Sequence, residues 1–135
     1  LEYLSLLAVS TLFGGMMLYS FGFAPLVFHA LDGETAGRFL RAAFPWYYLF
    51  VTGCAGFSAF LLAFVDWRPA AGLLVVALTG LAARELLMPR INDARDQDLA
   101  GDISAKKRFA WLHGGSVVLN MLQLVGLGAV LYGYA

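Results

Sequence analysis

The chain has 135 residues, of which 61% are hydrophobic and 13% charged. A soluble domain runs at about 45–50% apolar, with about a quarter of its residues charged, and so short a chain needs polar residues to cover its exposed surface. That balance argues against a soluble monomer, and nine basic residues against nine acidic ones argue against a strongly basic nucleic-acid binder. Cys54 is the only cysteine, so one chain can build neither a disulfide framework nor a thiolate metal cluster. It lies in an apolar run, as a small buried side chain would.

Leu1 stands first, and a short native segment is expected ahead of it. The opening stretch is too long and too aromatic for a secretory signal peptide and carries no basic leader. Four apolar spans follow, at about residues 3–30, 42–66, 69–88 and 109–133. Each has the roughly 20 residues that a helix needs to cross a bilayer. Inside lipid the backbone must satisfy its own hydrogen bonds, which favours helices, and the runs are too continuous for a β-barrel. The expected fold is all-α: a single domain over 1–135, built as a polytopic, antiparallel four-transmembrane-helix bundle.

The connections differ in character. Leu31 to Leu40 reads as a short polar loop, and Asp66-Trp67-Arg68-Pro69 as a tight turn with Pro69 suited to a helix start. The connection at about 89–108 is polar and mixed in sign, with a short helix or surface loop expected over Arg95 to Lys107. Arg38, Arg41, Arg84, Arg90, Arg95, Lys106, Lys107 and Arg108 lie on or near the first and third connections, whereas the opposite side holds only Arg68. The positive-inside rule then places both long connections in the cytoplasm and both termini outside, and a bacterial cytoplasmic (inner) membrane is the expected location. Trp46, Tyr47, Tyr48, Trp67, Trp111, Tyr132 and Tyr134 fall at the expected boundaries as interfacial belts.

Small residues are frequent inside the spans: Gly14-Gly15, Gly22, Gly53, Gly56, Gly72, Gly80, Gly114-Gly115, Gly126 and Gly128. They allow helix backbones to approach closely, first within the bundle and, on one face, in a homo-oligomer. They lack the strand context and the lysine of a phosphate loop. Pro25 is expected to kink the first span, and Pro45 to lie in the first turns of the second.

The polar residues of the last span carry the sharpest pattern. His113, Ser116, Asn120 and Gln123 are spaced by three, four and three residues, along one helix face. Such a face reads as a hydrogen-bonded seam, or as a ligand, cofactor or proton site. Glu85, Asn92 and Arg95 belong to a cluster that closes the third span, with Glu85 expected at a depth similar to His113 and with Arg41, Arg84 and Arg90 as helix-end ionic contacts. A carboxylate beside an imidazole could handle protons or a metal, although an ion pair of Glu85 with Arg84, Arg41 or Arg95 is the simpler expectation. His29 and His113 are weak candidates for metal or haem ligation, without a closely spaced ligand motif. Ser116 lacks the strand-turn-helix elbow of a serine hydrolase.

From Gly14 to Tyr48, with Phe44-Pro45-Trp46-Tyr47-Tyr48 opening the second span, the chain resembles the transmembrane protein 205-like family, also called domain of unknown function 4149. Leu87-Met88-Pro89-Arg90-Ile91-Asn92, Arg95, Phe109-Ala110-Trp111-Leu112-His113, Ser116, Asn120 and Gln123 continue the likeness. The resemblance implies a small integral membrane protein of about four helices and transfers no catalytic residue. A more distant likeness is to four-helix membrane oxidoreductases of tetrapyrrole synthesis, but the lysine and tryptophan context around the first-span histidine is missing.

Three classes follow. The favoured one is a non-enzymatic accessory or assembly subunit of a larger membrane complex, with lipid and other membrane subunits or further copies of itself as partners. The second is a small transporter or efflux-related protein. The third is a haem-, quinone- or metal-linked oxidoreductase using the polar face from His113 to Asn120. The sequence names no cofactor and leaves enzymatic activity open, leaning against it.

Overall fold

The computed structural model describes every residue from Leu1 to Ala135. Four helices are long and apolar enough to cross a membrane: α1 (Glu2–Ala30), α2 (Gly33–Leu62), α3 (Trp67–Leu99) and α4 (Ile103–Tyr132). Each packs on its neighbours in a closed ring, α1 on α2, α2 on α3, α3 on α4 and α4 on α1. The protein is an all-α integral membrane protein. Its core is a spine of side chains that includes Leu12, Met16, Val51, Leu73 and Leu127, all fully buried. Large apolar side chains such as Phe57, Phe60, Leu78 and Val125 point outward, as expected of a bundle whose solvent is hydrocarbon.

The connections are shorter than their polar composition suggests. Helix α2 begins at Gly33 rather than after Leu40, because Asp32 caps it by accepting from the Thr35 backbone N–H at 2.8 Å and from the Thr35 hydroxyl at 2.9 Å. Ala36 and Leu40 on the capped turns bury against Val27 of α1, giving this stretch an apolar face despite its charges. Helix α3 likewise continues to Leu99. Its polar end buries Met88, Ile91 and Ala94, at a spacing of three residues.

The chain then reverses over Ala100–Asp102. Gly101 has φ +100°, the left-handed conformation that favours glycine. Its N–H reaches the Asp98 carbonyl, and the Asp102 N–H reaches that of Gln97, which together close a Schellman motif. Asp102 caps α4 through the Ser104 N–H at 3.0 Å, so the last helix starts at Ile103 rather than near residue 109.

Two further expectations change. Pro45 lies well inside α2 rather than in its opening turns, because the helix starts earlier. Tyr47 and Tyr48 are buried in the core rather than placed in an interfacial belt, while Trp46, one step round the helix, is exposed.

Where a kink was expected at Pro25, a π-helical turn, Leu18–Phe23, lies just ahead of the proline. A second π turn, Ala83–Leu87, precedes Pro89 in α3. Widened turns of this kind let a helix absorb a residue without an N–H to donate. Both helices run for 16 residues before the π turn, at Glu2–Met17 and Trp67–Ala82. Each is followed by an aspartate-capped helix of 30 residues. The fold thus repeats one hairpin plan twice.

Candidate functional site

The polar residues of the last span enter the bundle at two levels. Asn120 accepts the Tyr47 hydroxyl proton at 2.6 Å and donates from its amide nitrogen to Ser20 Oγ at 2.8 Å. This one side chain ties α4 to α2 and to the π turn of α1. The backbones of α2 and α4 make no close approach to each other, so the link crosses the ring through side chains alone. One helical turn away, Gln123 donates to Thr79 Oγ1 of α3 at 2.9 Å, and Thr79 donates to the backbone carbonyls of Val75 and Val76. An aromatic cluster packs beside the Asn120 contacts, with Tyr19 stacked on Tyr47 at 4.2 Å and Phe44 at the edge of both. Three buried polar atoms have no partner: Tyr19 Oη, Thr52 Oγ1 and Gln123 Oε1.

Not all of the expected seam takes part. Ser116 donates to the His113 carbonyl within its own helix, 2.7 Å away. His113 is exposed and stacks on Phe109 with ring centroids 5.7 Å apart. Arg95 lies over Phe109 of that stack, its guanidinium 5.4 Å from the ring centroid. His29 is exposed near the end of α1. Among His, Cys, Asp and Glu, no three side chains come together as a set able to hold a metal ion.

The basic end of the bundle is held by ionic contacts. Arg41 of α2 clasps Asp96 of α3 with two bonds of 2.7 and 3.0 Å, a bidentate pair. Glu85 pairs with Arg84 next to it, and the Arg84 Nε reaches across to the Pro45 carbonyl at 3.1 Å. Arg95 pairs with Asp98 on its own helix at 3.3 Å, while Arg90 forms no ion pair and Asn92 makes no side-chain hydrogen bond. Outside the spans, hydrogen bonds from Thr35 hold the Asp32 carboxyl below its usual range, helped by the charge of Arg38. Bonds from Ser104 do the same for Asp102.

Residues 7–100 match the family model described as domain of unknown function DUF4149. The chain belongs to the DUF4149 family. Four membrane-spanning helices in a DUF4149 protein agree with the likeness to transmembrane protein 205-like proteins. The matched stretch ends at Ala100, so His113, Ser116, Asn120 and Gln123 lie beyond it, whereas Ser20, Tyr47 and Thr79, which bond to the seam, lie within it. No curated protein and no solved structure matches this DUF4149 chain.

Asn120 and Gln123 are legible in the sequence through their helical spacing, whereas their partners are not marked by any pattern of that kind. Ser20 and Thr79 carried a usable signal, as hydroxyl residues within apolar runs. Tyr47 gave a misleading one, because tyrosine is as much at home in a membrane interface as in a core.

Proposed function

We propose that this protein is an accessory or assembly subunit of a larger complex in a bacterial cytoplasmic membrane, with its basic connections in the cytoplasm and both termini outside. Eight of the nine basic residues near those connections support the orientation. The observation that carries the subunit reading is the unequal use of glycine. A Cβ on Gly15 would strike the Phe50 ring at 2.8 Å, and one on Gly80 would strike Thr52 Oγ1 at 2.9 Å, so both are committed to packing inside the bundle. Gly14, Gly53, Gly72, Gly114, Gly115 and Gly126 meet nothing within 4 Å and leave bare backbone on the surface. In lipid, such surfaces associate by close backbone approach. The interior polar groups meanwhile bond chiefly to one another, a static role suited to a scaffold.

The test is native mass spectrometry of the assembly after mild extraction from its own membrane. A copurified membrane protein is expected, and Gly114→Leu with Gly115→Leu should release it while the chain stays folded. A lone chain or homo-oligomer carrying a discrete haem, quinone or metal mass would overturn the reading in favour of an oxidoreductase.

A further inference from the structure

Two cavities lie on the outer seam between α3 and α4, and they share one residue, Arg90. The first, about 710 Å³, lies between the polar ends of the two helices and is lined by Arg90, Lys107, Arg108, Asp93, Trp111 and Leu112 among others. The second, about 230 Å³, runs from Arg90 along the membrane-spanning part and is walled by Ala82, Ala83, Leu86, Leu87 and Leu119, with Thr79 at its far end. We propose that this paired groove binds one anionic phospholipid, with its phosphate among Arg90, Lys107 and Arg108 and an acyl chain in the apolar part.

The charge at the polar cavity is positive: Arg90, Lys107 and Arg108 line it with one carboxylate, Asp93, and only Arg108 has an ionic partner, Asp102 just outside. Arg108 is fixed in place, donating to Ser104 Oγ at 3.1 Å and to Gln97 and lying 3.9 Å from Asp102. Arg90 and Lys107 form no ion pair with the protein and are exposed, so their charges are available. A guanidinium and an ammonium together suit a phosphate, the first through its planar fork and the second as a point charge.

A free phosphate would satisfy the cations alone, but the rest of the groove has the chemistry of a lipid. Trp111 is 74% exposed at its edge, the usual station of tryptophan at headgroup level. The apolar part extends from Arg90 back to Thr79, roughly 16 Å along the helix axis at the α-helical rise, enough for much of an acyl chain. Ala83, Leu86 and Leu87 belong to the π turn of α3. The widened turn and the small side chains of Ala82 and Ala83 therefore coincide with the groove. The inference needs only the membrane-spanning fold and is independent of the subunit reading.

The full-length protein is placed in nanodiscs of phosphatidylcholine alone or of an equimolar mixture with phosphatidylglycerol, and the lipids it retains are weighed by native mass spectrometry. Preferential retention of one phosphatidylglycerol is expected. At about a fivefold contribution per basic residue near the surface, Arg90→Gln with Lys107→Gln should weaken that preference about 30-fold. Ala82→Trp, at an exposed position, keeps every charge and should abolish retention by filling the apolar part. Equal retention of both lipids, or retention unchanged in the variants, would overturn the proposal. Displacement by inorganic phosphate with no effect of Ala82→Trp would reduce the site to an anion site and overturn it as well. So would a dimer mass without lipid that Ala82→Trp disrupts, which would make the groove an interface between copies. Copurification of a partner protein is a separate readout and bears on none of these outcomes.

Discussion

Asn120 is the one side chain in the bundle that bonds to two other helices at once. Replacing it with leucine leaves the Tyr47 and Ser20 hydroxyls without that partner. Hydrogen bonds between membrane helices contribute about 0.6 kcal/mol on average and about 1.7 kcal/mol at most. Asn120→Leu should therefore destabilise the protein by about 1–2 kcal/mol in reversible unfolding from detergent micelles. Tyr47→Phe should cost about half as much and should add little on top of Asn120→Leu, the signature of a shared contact. Tyr19→Phe provides the contrast. Its hydroxyl is buried without a partner, so its removal should leave stability unchanged or raise it by about 1 kcal/mol. A loss of stability in Tyr19→Phe equal to that in Tyr47→Phe would show that the two hydroxyls are not distinguished in this way.

At the scale of the element, each hairpin depends on an aspartate at the start of its second helix. The folded pKa of Asp32 lies below the usual 3.8 because Thr35 donates to its carboxylate. A lowered pKa means that the cap's contribution is fully present above the unfolded value and is lost as pH falls through the folded one. The window therefore lies at and below the ordinary carboxylate range. The protection factor of the Thr35 amide, the N–H held by Asp32, should fall there, and Asp32→Ala should leave that amide weakly protected at every pH. Protection that persists unchanged below that range in the native protein would count against the cap.

Helix contacts give a second test at this scale. Gly80→Val forces a branched side chain against Thr52 and Val51 and should cost about 2 kcal/mol. Gly72→Ala faces open space and should stabilise α3 by up to about 1 kcal/mol, both read from the same unfolding curves.

Across the whole molecule, what the sequence revealed was what periodicity and composition encode. The four apolar runs marked the spans, and the polar spacing in the last span marked Asn120 and Gln123. The helix ends were hidden because hydropathy reports where lipid begins, not where a helix stops. Gly33–Arg41 stays helical behind the Asp32 cap with Ala36 and Leu40 buried, and Arg90–Leu99 stays helical as the continuation of α3 with Ile91 and Ala94 buried. Pro25 and Pro89 signalled a disturbance but not its form, since a π turn needs the whole helix to shift register. Ser20 and Thr79 stood out only as hydroxyls within apolar runs and Tyr47 only as an interfacial aromatic, because their contacts with Asn120 and Gln123 arise only when the helices pack. For the same reason the glycine pattern did not separate Gly15 and Gly80, which are enclosed, from Gly14 and Gly72, which are bare.

The order of the helices along the chain adds a consequence for biosynthesis. Ser20 and Tyr47 lie in the first hairpin, and the residue that satisfies both lies in the last helix. A ribosome delivers the amino-terminal part first, so these two hydroxyls lack the Asn120 amide while the second hairpin is still being made. Until Asn120 arrives, the nascent protein carries a polar mark of incompleteness in the bilayer, and its closure coincides with the insertion of the final span.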